Sequence, residues 1–336
     1  MEQRKEIVNL YVQKGLRVEK AVLIAGISKS TFYYKSNRRR RGKPASTVTR
    51  QGDAIVSNKE VLGVIEEILG EEFIDYGYTR VTKVLQRRGF QINRKKTYRI
   101  MKENGLLQKQ VRAGRSRSRK FVQYTVPQYK NPFATVEIDI KYVYLSEERR
   151  NFYLITALDT FTRIAIAWDF DLRMTNEQVV KLLSAIKNHP LVKSYDNIKI
   201  RIRTDNGPQF IAGFLADQVK LLGIDHEFIQ PGTPQQNGHI ESFHSTIQKI
   251  VLDQYELGSA DEARKTFDQF YHTYNNKRIM SGIADCAPIE FLQAWQAGTI
   301  GIRIKKNKQI FFRERQVISD TALSREDSFG CIKNTP

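Results

Sequence analysis

The sequence predicts basic helical modules at the front, then an α/β domain on a mixed five-stranded sheet with flanking helices, and finally a small basic tail with short strands. Three observations carry this reading. Apolar residues recur every three or four positions up to about residue 107, and from Thr135 they alternate. Beyond Thr135 three strands come first, followed by helices and strands in turn, which is the order of a mixed sheet. The positive charge is confined to the front: residues 1–130 hold 30 Lys and Arg against 11 Asp and Glu, whereas residues 131–336 hold 25 of each.

A chain of 336 residues has room for two or three domains, each with its own core. The overall charge of +19 therefore belongs to the front, as expected of a part that neutralises phosphates, with a neutral rear that does something else. The only two cysteines, Cys286 and Cys331, form no Cys-x-x-Cys or Cys/His cluster for zinc and suit a reducing compartment. The charged start, Met1 to Leu10, and the lack of an 18-residue apolar run give no support to secretion or to a membrane partner. The expectation is a soluble intracellular protein.

Residues 2–14 read as a helix with Ile7, Leu10 and Tyr11 on one stripe. Val18 to Ala25 reads as a second, Gly26 as the turn, and Ser28 as the cap of a third, Lys29 to Lys35. This is a helix-turn-helix over 1–37, and its outward Lys29, Thr31, Tyr33 and Lys35 are candidate DNA contacts. Residues 38–57, with the Arg38 to Lys43 run, read as a basic linker. A second helix-turn-helix-like domain follows over 58–107. Its helices carry Val61, Ile65, Ile68 and Leu69, then Val81, Val84 and Leu85, then a segment capped by Asn93. The last opens with Arg94, Lys95 and Lys96, cations beside free backbone N–H groups, an arrangement that grips phosphate. Residues 108–134 form another basic linker, whose Arg112, Arg115, Arg117, Arg119 and Lys120 could track a DNA groove.

In the α/β domain, 135–296, strands are expected from Thr135, over Phe152 to Leu158, Ile164 to Phe170, Ile198 to Ile202 and His226 to Ile229. Helices are expected over Glu177 to Asn188, Gln209 to Leu222 and Gly238 to Leu252. The tail, 297–336, has short strands around Ile300 to Ile304 and Gln309 to Ile318.

Three acids fall at telling places: Asp139 within a half-buried strand, Asp205 in the turn Thr-Asp-Asn-Gly, and Glu241 in the first turn of the last helix. A carboxylate inside a strand is costly unless paired or metal-bound. Acids on separate elements suit two hard cations, Mg²⁺ or Mn²⁺, which can activate an attacking oxygen and stabilise a leaving one at phosphorus. No serine, tyrosine or cysteine motif argues for a covalent intermediate. His226, His244 and His272 lack ligand-like spacing and read as ordinary fold residues.

Thr-Asp-Asn-Gly-Pro-Gln-Phe at 204–210, Pro-Gly-Thr-Pro-Gln-Gln-Asn-Gly-His-Ile-Glu at 231–241, and the 35 residues between Asp205 and Glu241 resemble the DDE integrase core of retroviruses and bacterial insertion sequences. Tyr-Gly-Tyr-Thr-Arg-Val at 76–81, the segment Asn93 to Leu106, and Tyr274-Asn275 to Phe291 are similar to second-reading-frame (OrfB-like) insertion-sequence transposases. The resemblance spans nearly all of 16–295. It implies an RNase H-like core with Asp139, Asp205 and Glu241 as catalytic, metal-binding acids, and a reaction of 3′-end nicking followed by strand transfer. It also implies double-stranded DNA as partner, both terminal inverted repeats and target, a homodimer or larger assembly on DNA, and a partner protein from an upstream frame. A basic residue usual seven places after the glutamate is Gln248 here, with Lys249 beside it.

Asn206, Gln209, Asn237 and His239 are candidates to position DNA, and Ser245 and Lys249, which share a helix face with Glu241, are candidates to contact the same DNA strand. The competing readings are a non-catalytic DNA-binding regulator, against which three intact acids argue, and a retroelement integrase, whose His/Cys zinc module has no counterpart here. A simple RNase H-type nuclease would not need the basic front.

Overall fold

The computed structural model describes residues 2–34, 45–108, 131–195, 198–211, 213–230, 233–304 and 310–314. The chain divides into two compact units, residues 1–47 and 48–336. Lys35, Arg112, Arg115, Arg117, Arg119 and Lys120 lie outside the described residues.

The first unit contains helices α1 (Glu2–Gln13), α2 (Val18–Ile24) and α3 (Lys29–Tyr33). Val8, Ala21, Val22 and Ala25 form its small core. Gly26 takes the left-handed conformation between α2 and α3, and the Ser28 hydroxyl accepts from the Thr31 N–H at the start of α3.

The second unit opens with a hairpin, β1 (Val48–Gln51) and β2 (Ala54–Ser57), inside the stretch expected to be linker. Its four-residue strands carry mostly polar or exposed side chains, so periodicity gave no signal for them. Ser57 then starts α4 (Asn58–Gly70) through a capping box: its hydroxyl accepts from the Glu60 N–H, and the Glu60 carboxylate accepts from the Ser57 N–H. Helices α5 (Tyr78–Arg87) and α6 (Arg94–Glu103) follow, with Gly89 left-handed before the second. Val61, Ile65, Val81, Leu85, Ile100 and Met101, all buried, seal this three-helix module.

The sheet has β3 (Thr135–Leu145), β4 (Arg150–Asp159), β5 (Ala165–Asp171), β6 (Arg201–Thr204) and β7 (Asp225–Phe228) in the order β5-β4-β3-β6-β7. β3, β4 and β5 pair antiparallel, and β6 and β7 pair parallel to β3 and to each other. With its flanking helices this is the mixed five-stranded sheet of an RNase H-like core, as the sequence predicts. β6 lies about three residues later than expected, because 198–200 are not in the ladder.

Both faces of the sheet are covered. Helices α7 (Asn176–Asn188), α8 (Pro190–Lys193), α9 (Pro208–Ile211) and α10 (Gly213–Leu221) belong to one side, where Val136, Ile138, Ile155 and Ile202 meet Leu183, Ile186 and Leu215. Helices α11 (Gly238–Ile247) and α12 (Ala260–Asn276) pack on the other, where Val143, Leu145, Leu154 and Phe170 meet Phe243, Ile247, Phe267 and Phe270. The expected helix 209–222 is helical over Pro208–Ile211 and Gly213–Leu221, with residue 212 outside the described residues. The expected helix 238–252 ends at Ile247 and continues as a wider turn, Gln248–Leu252. Helix α13 (Pro288–Gln296) and the antiparallel pair β8 (Ile300–Ile304) and β9 (Ile310–Glu314) close the described chain, with Phe161, Phe291, Trp295 and Phe312 in mutual ring contact.

Candidate active site

Strand alternation sets the site. Val136 and Ile138 point to the α7 side, so Glu137 and Asp139 point to the face that α11 covers. Burial on both faces makes the period-two pattern costly for a carboxylate, and the chain answers with partners. Glu137 is fully buried, and its Oε2 accepts from the N–H groups of His239 (3.0 Å) and Ile240 (2.8 Å), in the first turn of α11. An acid at a helix N-terminus satisfies two otherwise unbonded donors and meets the positive end of the helix dipole. Arg203, on the neighbouring β6 and also buried, places Nη1 3.6 Å from Glu137 Oε1. It also donates to the Gln236 carbonyl at 3.0 Å and to Glu227 on β7 at 3.3 Å. Burial pushes the Glu137 carboxyl up to about 7, against the pull of the α11 N–H groups and of Arg203. One buried pair thus ties together β3, β6 and the start of α11, the three elements that carry or immediately precede Asp139, Asp205 and Glu241.

Asp139 and Glu241 line the same open cavity of about 390 Å³, with Lys141, His244, Ser245, Gln248, Lys249 and Asp253. Burial and then the Asp139 charge push the Glu241 carboxyl up, as expected of two like charges facing one space. Asp139 Oδ1 accepts from the Ile140 N–H at 2.8 Å, and Oδ2 lies 3.2 Å from His244 Nδ1. His244, read from the sequence as an ordinary fold residue, thus has a partner among the candidate acids. It is buried in α11, three positions after Glu241, and touches Asp139. The spacing from Glu241 was a signal, but only the closing of α11 onto β3 gives it a partner.

Asp205 stands just past the end of β6. The parallel register pairs Glu137 with Arg203; Asp139 follows two places later within β3, and Asp205 two places later in the chain, just beyond β6. Its Oδ1 accepts from the Gly207 N–H at 3.0 Å, and a Cβ at Gly207 would stand 2.4 Å from the Gln209 side-chain amide and 3.0 Å from that oxygen, so a side chain there would displace both. Asp205 does not line the cavity of Asp139 and Glu241, and among the described residues no three His, Cys, Asp or Glu side chains cluster closely enough to hold a metal ion. The paired carboxylates still have the hard oxygen donors that Mg²⁺ or Mn²⁺ selects, and their mutual charge favours a cation between them.

The other singled-out residues divide by partner. Asn206 donates to the Ile229 carbonyl at 3.0 Å, so it braces the loop after β7. Asn237 is buried. His239 lines a second cavity on the other side of α11, and burial followed by the Arg163 and Arg203 charges takes its pKa down to about 3, which keeps it neutral. Gln209 sits against Gly207. The Ser245 hydroxyl donates back to the Glu241 carbonyl at 2.9 Å, and Lys249 binds Asp75 at 2.5 Å, linking the core to the segment between α4 and α5. Arg278 joins the same acid at 2.5 Å.

In the helical parts, Lys29 pairs with Glu19 at 2.6 Å, Thr31 bonds Ser28, and Tyr33 is 58 % exposed. At α6 the expected free N–H groups are partly taken, because the Asn93 side chain accepts from the Lys96 N–H at 3.0 Å. Lys96 itself donates to the Val48 carbonyl, whereas Arg94 and Lys95 are exposed.

Models of an integrase core domain match residues 130–234 and 222–288, and an HTH-like domain matches residues 57–114. A protein of insertion element IS407 from Burkholderia multivorans is 27 % identical over 85 % of this chain and 92 % of its own length. The transposase of insertion sequence IS904 from Lactococcus lactis is 24 % identical over 72 % of this chain and 95 % of its own. Among solved structures, the catalytic core domain of HTLV-2 integrase in complex with magnesium has 20 % identity and a TM-score of 0.35, covering 48 % of this chain and 96 % of that one. The catalytic domain of the Mos1 mariner transposase has 14 % identity and a TM-score of 0.36, covering 42 % of this chain and 70 % of that one. No described helix is long and apolar enough to cross a membrane.

Proposed function

From the premise that this chain belongs with the insertion-sequence transposases, with an integrase core domain behind an HTH-like domain, we propose that it nicks DNA at element ends and joins the freed 3′ ends to target DNA. The observation that carries the proposal is the convergence of Asp139 and Glu241 on one cavity, with Asp205 just past the end of β6, the strand paired with β3.

Asp139, Asp205 and Glu241 are the residues we assign to hold two Mg²⁺ or Mn²⁺ ions, which when bound supply activation of the attacking oxygen and stabilisation of the leaving oxygen in an in-line displacement at phosphorus. The protein's part is to position. His244 Nδ1 meets Asp139 Oδ2 and limits rotation of that carboxylate. The Glu137 bonds to the His239 and Ile240 N–H groups fix the first turn of α11, so that Glu241 faces Asp139. Lys141 lines the same cavity and presents a cation to a DNA phosphate. Terminal inverted repeats are recognised by the basic helical modules, with Tyr33, Arg94 and Lys95 the exposed contacts. Synapsis of two ends calls for a homodimer or larger assembly, to which an upstream-frame partner can add.

The experiment is a strand-joining assay with Mg²⁺ on duplexes taken from the two flanks of the gene. Asp139→Asn, Asp205→Asn and Glu241→Gln are each expected to abolish joining while leaving duplex binding within about threefold, since removing one interaction made only in the transition state spares ground-state binding. Joining at the wild-type rate by any of the three rejects that residue's assignment.

A further inference from the structure

On the face of α11 opposite Glu241 lies a cavity of about 300 Å³ that the reaction above does not use. Three arginines from three separate parts of the chain line it: Arg80 from α5, Arg163 from the turn between β4 and β5, and Arg278 just after α12. Ser242, Ser281 and Thr246, whose hydroxyl donates to the Ser242 carbonyl, complete its polar wall, and among the described residues no aspartate or glutamate lines it.

The charge there is poorly compensated. Arg80 and Arg278 flank one ring, Tyr76, with their guanidinium carbons 6.0 and 5.9 Å from its centre. Arg278 donates to the Phe73 carbonyl and to Asp75, and that single acid also serves Lys249, so two cations share one carboxylate. Arg80 meets no carboxylate among the described residues, while Lys83 and Arg87 of the same helix pair with Asp285 and Glu290. Arg163 is held by the Thr160 carbonyl, on a turn organised by the buried Asp159 through the Thr162 N–H and hydroxyl. Tyr274, Glu137 and Asp159 act on Arg163 through charge, but neither of the two carboxylates lines the cavity. A space lined by three guanidinium groups, of which Arg80 pairs with no carboxylate among the described residues, and by the Ser242 and Ser281 hydroxyls suits a phosphate in charge and hydrogen-bonding pattern.

We propose that this cavity binds one backbone phosphate of the DNA. The inference rests on the transposase reading and deepens it. α5 belongs to the HTH-like domain and α11 carries Glu241, so a phosphate clamped between them sets the register between the DNA that the domain grips and the bond that is cut. The contact is sequence-independent, because backbone contacts position and base contacts specify.

The test uses the full chain with Arg80→Gln and with Ser281→Asp, which places a carboxylate at the exposed rim. Binding to a flank-derived duplex is measured across a salt series, and joining is measured on the same duplex. Both variants should keep the wild-type melting temperature. Arg80→Gln should weaken binding about tenfold at moderate salt and reduce the slope of log K against log salt by about one, the amount expected for one phosphate contact. Ser281→Asp should weaken binding at least as much. Pyrophosphate at millimolar concentration should compete with duplex for the wild type and less for Arg80→Gln. Unchanged affinity and slope in both variants overturns the phosphate site even if the wild type joins DNA. Saturable pyrophosphate binding lost in Arg80→Gln, with a duplex slope unchanged, assigns the cavity to a free phosphate compound and overturns the DNA assignment. If the slope falls as expected but Asp139→Asn still joins, the site stands and the catalytic reading is the one rejected.

Discussion

Replacing Glu137 by alanine tests how the core holds its acids in place. The carboxylate is 1 % exposed and is the acceptor of two first-turn N–H groups of α11, at 3.0 and 2.8 Å. Its removal leaves those donors buried without a partner and strands Arg203, whose side chain is 2 % exposed. Breaking a buried pair by removing one member costs about 3–5 kcal/mol. Glu227, 3.3 Å from Arg203 and 35 % exposed, stays in place and offsets part of that, so the low end, about 3 kcal/mol, is expected. Urea unfolding followed by the fluorescence of Trp168, stacked on Tyr271 at 4.9 Å, reads this region directly. Strand joining should fall further than the lost stability explains, because a shift of about 1 Å at a reacting centre can cost about a hundredfold in rate. A stability change below about 0.5 kcal/mol, the size of an ordinary surface substitution, would refute the claim that this pair docks α11 on the sheet.

Three further outcomes follow from the same geometry. Phe267→Ala removes a fully buried ring in contact with Phe170 at 5.2 Å, and should cost about 3–5 kcal/mol in urea unfolding. Asn93→Ala loses the cap of α6 and should lower stability by about 1 kcal/mol, measured by thermal unfolding of the variant against wild type. Burial opposes ionisation of Asp75, but Arg278 and Lys249 prevail and hold its carboxyl below the ordinary 3.8. A depressed folded pKa contributes stability above the unfolded value that is lost as pH falls through the folded one. Asp75→Asn should therefore be less stable than wild type at pH 7, with the gap closing below about pH 3.8. A gap that is constant from neutral to acid pH would show that the ionised carboxylate contributes nothing.

Much of the fold was legible because it is written in local periodicity. The alternation from Thr135 and the apolar runs after it mark all five strands, and Ser28, Asn93 and Gly26 mark helix ends through their own short-range chemistry. The places where expectation and structure differ are those where local signal is weak. The hairpin 48–57 buries little and is held by pairing between strands, and the turn of Gln248–Leu252 departs from α-helix without any proline or glycine to announce it. β6 is four residues long and is defined by its neighbours in the sheet, β3 and β7.

For the site, the sequence by itself determined which acids stand out, since a carboxylate in a strand, in a turn and at a helix start is a property of each residue and its neighbours. It also placed the surplus positive charge in the front. What those acids meet came only with the folded chain: Glu137 is buried against α11, His244 touches Asp139, Lys249 is spent on Asp75, and three arginines from distant segments share one cavity. The physical reason is range. Propensity and periodicity act over a few residues, whereas desolvation and charge pairing depend on which surfaces close on one another, here joining residues 102 and 103 positions apart in the Glu137 bonds to α11.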